Sequence, residues 1–138
     1  MKKFLILSII SLALLVVIPV SVLAYTNATE TRYTSSLYMA PNTILTGQTY
    51  TYYQPNYKIS LRPIDFYNHN YCTIYIDLYR DDGFWGKTFL SGGLEGMDSL
   101  NTTYIFERGN HGACDAFYYF ELDSGGIQAN PVYLYSYQ

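Results

Sequence analysis

The chain has 138 residues, of which 49% are hydrophobic, 18% aromatic and only 14% charged, with a formal net charge of −3 at pH 7. Two of its eight basic residues, Lys2 and Lys3, lie at the very N terminus, so the rest of the chain sets six dispersed basic residues against eleven acidic ones. That balance lacks the electrostatic footprint of a nucleic-acid binder. Seventeen tyrosines, a residue type suited to pleated, half-buried surfaces, point to an all-β protein.

Residues 1–24 have the form of a secretory signal. Lys2 and Lys3 supply the positive start, residues 4–18 are apolar except for Ser8 and Ser11, Pro19 breaks the run, and Val22-Leu23-Ala24 offers the small-residue cleavage pattern. The run is short for a spanning helix, which needs about 20 residues. The expected product is a secreted, extracellular protein of residues 25–138, long enough for one domain and with no stable membrane anchor after cleavage.

Residues 32–39 alternate well enough for a first strand, which stops at Ala40-Pro41-Asn42. A second is expected at 48–53, closed by Gln54-Pro55-Asn56. Residues 57–62 alternate cleanly, with Tyr57, Ile59 and Leu61 on one side and Lys58, Ser60 and Arg62 on the other, and Pro63 is expected to end the strand before a loop at 65–70. Residues 72–80 form the central strand. Cys72, Ile74, Ile76 and Leu78 share its core face, and Thr73, Tyr75, Asp77 and Tyr79 the other. Arg80-Asp81-Asp82-Gly83 is a turn signal from which 84–90 returns as a hairpin partner. Residues 91–101, rich in glycine and without period, read as the longest connection. Strands follow at 102–108, 113–122 and 131–137, and in the second of these Cys114, Ala116, Tyr118, Phe120 and Leu122 fall in one phase. Seven or eight short strands at this spacing predict a small antiparallel β-sandwich.

Two cysteines in an exported chain predict a Cys72–Cys114 disulfide closing a loop of about 40 residues, for which chain entropy gives on the order of 4 kcal/mol. Both cysteines open their strands. In a plain meander these strands run antiparallel and the cysteines fall at opposite ends, so the bridge requires the 91–101 connection to cross between sheets, or the strands to cross near their starts. The alternative reading is a metal site. His69 and Cys72, and His111 and Cys114, repeat a His-x-x-Cys spacing and together offer two imidazoles and two thiolates. The disulfide takes precedence in an oxidising compartment, and no metal or other cofactor is expected.

No Gly-x-Ser-x-Gly, His-Glu-x-x-His or phosphate-binding glycine loop is present, and no carboxylate pair is identifiable by spacing alone. The remaining functional signal is aromatic. Tyr75 and Tyr79 lie opposite the core face of the central strand, Tyr133, Tyr135 and Tyr137 form a row at the C terminus, and Trp85 follows a tight turn. Aromatic rows on a rigid sheet suit stacking on sugars or burial against a partner. The expected function is therefore a non-catalytic binding module for an extracellular glycan, cell wall or protein surface. The alternatives are a small secreted toxin or bacteriocin-like effector and, third, a small carboxylate-dependent hydrolase.

Overall fold

The computed structural model describes residues 30–138, which form ten antiparallel strands in two packed sheets, a β-sandwich with no α-helix among the described residues. The signal-peptide reading of residues 1–24 lies outside that range. The first sheet has the order β1-β10-β4-β8, with β1 at Glu30–Met39, β4 at Asn56–Tyr67, β8 at Tyr104–Asn110 and β10 at Gly126–Tyr137. The second has the order β2-β9-β5-β6, from Ile44–Thr46, Asp115–Ser124, Cys72–Asp81 and Lys87–Ser91. Two short strands complete it, β3 (Tyr50–Thr51) on β9 and β7 (Leu94–Met97) on β5.

Period-2 alternation builds the core as the sequence predicts. Ile59 and Leu61 of β4, Val132 and Leu134 of β10, and Leu37 and Met39 of β1 face Ile74, Ile76 and Leu78 of β5 and Ala116, Tyr118, Phe120 and Leu122 of β9. Each large apolar side chain removed from water contributes about 1.5–3 kcal/mol. At one end an aromatic series closes the sandwich. Tyr50 stacks on Tyr33 at 4.3 Å between centroids, and Tyr33, Tyr52 and Tyr57 follow edge to face at 5.5 and 5.2 Å. The hydroxyls of Tyr52 and Tyr118 are buried without a partner, a cost of about 1–3 kcal/mol each.

The fold departs from the sequence pattern at three points. β4 does not end at Pro63 but continues to Tyr67. Proline is tolerated because the ladders around it are interrupted: pairing with β8 stops at Leu61, and the register with β10 shifts between Ala129 and Val132. The stretch 91–101 is not a bare connection, since β7 forms within it and pairs along the first half of β5. The hairpin partner of β5 begins only at Lys87, because Gly83–Trp85 coils into a 3-10 turn.

Two glycines allow close approaches that no side chain could share. A Cβ on Gly92 would lie 1.9 Å from the Asp77 carboxylate and 2.9 Å from its Cα. Gly125 joins β9 to β10 at φ +76°, and a Cβ there would meet the Tyr71 carbonyl at 2.6 Å.

Candidate functional site

The expected disulfide is not formed: Cys72 and Cys114 are both free. Between β5 and β9 the chain does cross between sheets, but it does so twice, from β7 to β8 and from β8 back to β9. β9 therefore returns as the antiparallel neighbour of β5, with Thr73 opposite Ser124 and Arg80 opposite Ala116. Cys72 and Cys114 fall at opposite ends of this ladder, on the order of 30 Å apart at about 3.3 Å per residue, whereas a bridge needs Cα atoms within about 7 Å. The same geometry separates the two His-x-x-Cys pairs, and no three His, Cys, Asp or Glu residues cluster among the described residues. His69 stacks on Tyr71 at 5.0 Å, and the His111 Nε2 lies 2.5 Å from the Arg108 carbonyl.

The two thiols differ. Cys72 is fully buried, and desolvation pushes its thiol up to about 12. Cys114 is only half-buried, its sulfur 3.2 Å from the Tyr57 hydroxyl, which donates to the Gly112 carbonyl at 2.7 Å.

Arg108, which the sequence reading passed over, joins the two sheets. It lies in phase with the half-buried Tyr104 and Phe106, and that alternation was the available signal for its inward direction. From β8 its guanidinium donates to the Ile76 carbonyl (3.0 Å), the Glu107 carbonyl (2.9 Å) and Glu95 Oε1 (2.8 Å). It fills the point where the neighbour of β5 changes from β6 to β7.

The aromatic candidates separate into two groups. On the outer face of the first sheet, Arg32, Tyr135, Lys58 and Glu107 form one cross-strand row. The Lys58 ammonium lies 4.9 Å from the Tyr135 centroid and 4.7 Å from that of Tyr137, and Arg32 lies 5.1 Å from Tyr133. The Tyr137 hydroxyl donates to Glu107 at 2.5 Å. All three tyrosines are half-buried beneath these partners.

On the second sheet, Tyr79 pairs with Phe89 on one side and Phe117 on the other. Tyr79 and Phe117 are nearly parallel at 5.6 Å, while Phe89 and Tyr119 stand at 73° and 80° to Tyr79. Tyr75 is exposed farther along β5, beside Leu94 and Glu121. Beyond this face, the β5–β6 hairpin ends in Phe84 and Trp85, 95% and 87% exposed, packed edge to face on each other at 5.5 Å.

A polar frame holds that tip. Asp81 accepts from the Gly83 amide (2.8 Å) and the Thr49 hydroxyl (2.7 Å), and Asp82 accepts from Arg80 Nε (2.6 Å) and the Thr88 hydroxyl (2.5 Å). The Asp82 backbone amide donates to the Gly86 carbonyl at 2.9 Å. Hydrogen bonds from Thr49 and Gly83 hold the Asp81 carboxyl below its ordinary range, and those from Thr88 and Arg80 do the same for Asp82. Two large rings thus project from a tied turn with nothing over them. At the other end of the molecule, Asp65 and Asp98 share an open cleft of about 300 Å³ with Phe66, His69, Asn70 and Leu100.

No protein-family model and no curated protein matches this chain. Among solved structures, the Yersinia pseudotuberculosis-derived mitogen is similar at 11% identity and a TM-score of 0.40, over 79% of this chain and 86% of that one. A structure of the infectious bursal disease virus Gt strain matches at 9% identity and a TM-score of 0.39, over 78% of this chain and 32% of that one. A family two carbohydrate esterase from Cellvibrio japonicus matches at 10% identity and a TM-score of 0.26, over 78% and 35% respectively. TM-scores this low carry neither fold nor function from these proteins to this chain.

Proposed function

We propose that the protein is a secreted, non-catalytic binding module whose leading contact is the Phe84–Trp85 hairpin tip. The observation that carries this reading is the exposure of both rings on a turn fixed by its own hydrogen bonds. Exposed rings of this size gain little by facing water, and a preorganised pair loses little entropy when covered. The preferred partner is an extracellular glycan. Sugar C–H faces stack on the rings while hydroxyls reach Arg80, Asp82 and Thr88 at the base of the tip. Tyr75 extends the same surface along β5.

Trp85 is the sole tryptophan in the chain, so intrinsic tryptophan emission reports on the tip alone. Titration with soluble cell-wall polysaccharide is expected to shift that emission to the blue and protect it from acrylamide quenching. Unchanged emission with polysaccharide, but protection by isolated cell-surface protein, would move the assignment to a protein partner. No response to either would sink the reading.

A further inference from the structure

The second sheet also carries a nest of aromatic rings, separate from the tip. Tyr79 and Phe117 form a nearly parallel pair of rings across β5 and β9, and Tyr119 and Phe89 stand steeply to Tyr79 on either side. Into this nest reaches the ammonium of Lys87, 4.5 Å from the Tyr79 centroid, 5.5 Å from Tyr119 and 5.9 Å from Phe117. The carboxylate opposite Lys87 in the ladder is Asp81, yet Asp81 is bonded to Thr49 and Gly83, and the two ion pairs of the described residues are Arg80–Asp82 and Arg108–Glu95. The lysine head therefore rests on ring faces rather than on a carboxylate. Asp77 pairs with Tyr119 in the ladder, and Glu121 lies 3.4 Å from the Tyr119 hydroxyl, so acidic groups border the nest.

We infer that this nest is a recognition site for an organic ammonium group, of the trimethylammonium type, which enters by displacing Lys87. Ring faces attract cations through their quadrupole, and several rings converging on one point make the cage that suits a quaternary ammonium, which cannot donate a hydrogen bond. Lys87 shows where the potential minimum lies and occupies it reversibly. It sits on the edge strand β6, is exposed, and its four-carbon arm can swing into water without disturbing a ladder bond. The equivalent lysine of the first sheet, Lys58, lies on the interior strand β4 directly opposite Glu107, and its two rings come from a single strand.

The test is NMR titration of the aromatic resonances of the full mature protein with choline and with 3,3-dimethylbutan-1-ol, its neutral isostere. Saturable shifts of Tyr79, Phe117 and Tyr119 are expected with choline, with the isostere weaker by about fivefold or more. Lys87→Ser removes the internal competitor and is expected to tighten choline binding by about threefold or more, whereas Tyr79→Leu or Tyr119→Leu abolishes saturation. Trp85→Ala leaves choline binding unchanged, which separates this site from the tip. A second arm uses phosphatidylcholine vesicles: co-sedimentation that depends on Tyr79 assigns a lipid-borne headgroup, and its absence assigns a soluble or polymer-borne one. Shifts that never saturate, an isostere equal to choline, or indifference to Lys87→Ser would overturn the assignment. Circular dichroism of both leucine variants confirms that each is folded when its loss of binding is read.

Discussion

The outer face of the first sheet and the tip of the second both present aromatic rings, tyrosines on one and Phe84 and Trp85 on the other, and reach opposite ends. Tyr133, Tyr135 and Tyr137 stand on β10, an interior strand, so side chains from both neighbours lean over them: Arg32 from β1 and Lys58 from β4. Phe84 and Trp85 stand on a turn beyond the last ladder pair, Asp81 with Lys87, where no neighbouring strand can supply a cover. Position in the sheet therefore decides whether neighbouring strands can cover an aromatic or leave it free for contact. Four of the six basic residues of the described region lie over rings, which shows how strongly these faces draw cations.

The largest expected effect lies beneath both faces. Arg108→Ala leaves the Ile76 carbonyl and Glu95 without their partner and should cost about 3 kcal/mol in urea unfolding, because a buried charge network is broken from one side. A loss below about 0.5 kcal/mol would mean that the sheets are held together by apolar packing alone. Next, Trp85→Ala should weaken glycan binding about tenfold, or roughly 1.4 kcal/mol, while leaving the unfolding midpoint unchanged. Tyr135→Ala should do the reverse, costing about 1 kcal/mol of stability through lost cross-strand contacts without affecting binding. Equal effects of the two variants on binding would erase the distinction between covered and bare rings.

The contrast of covered and bare extends to the thiols. Native protein treated with iodoacetamide should be alkylated at Cys114, while Cys72, buried and protonated, reacts only after unfolding. An intact mass two hydrogens light, unchanged by alkylation, would contradict the β5–β9 register. The smallest effect is acid loosening of the tip. Asp81 and Asp82 titrate below the ordinary 3.8 in the folded state, so their contribution is fully present above that value and is lost as pH falls through the depressed pKa values. Trp85 anisotropy should accordingly stay flat down to about pH 4 and fall below it, and Asp82→Asn should lower it already at neutral pH. A profile identical in Asp82→Asn would remove the carboxylate frame as the cause of tip order.

Much of the fold was legible because alternation is a local property. Ile74, Ile76 and Leu78, or Ala116, Tyr118 and Phe120, declare their core face within a single strand, whatever that strand pairs with. Arg108 could have been read the same way, from its phase with Tyr104 and Phe106. The Cys72–Cys114 bridge was misjudged because its premise was topological. Redox chemistry and spacing favour pairing, but whether two strand starts meet depends on how many times the chain changes sheets. Pro63 misled for a related reason: a proline ends a strand only where its missing N–H would have been used, and partners decide that.

The amino-acid sequence alone determined the all-β class, the inward and outward faces of β4, β5, β9 and β10, and the wealth of aromatic side chains, since these follow from residue type and a period of two. Only the tertiary structure decided which aromatics are covered, that Lys87 rests among three rings, and that the cysteines stand at opposite ends of one ladder. Those outcomes depend on which strands become neighbours and in what register, and such non-local pairing leaves no mark on the local pattern.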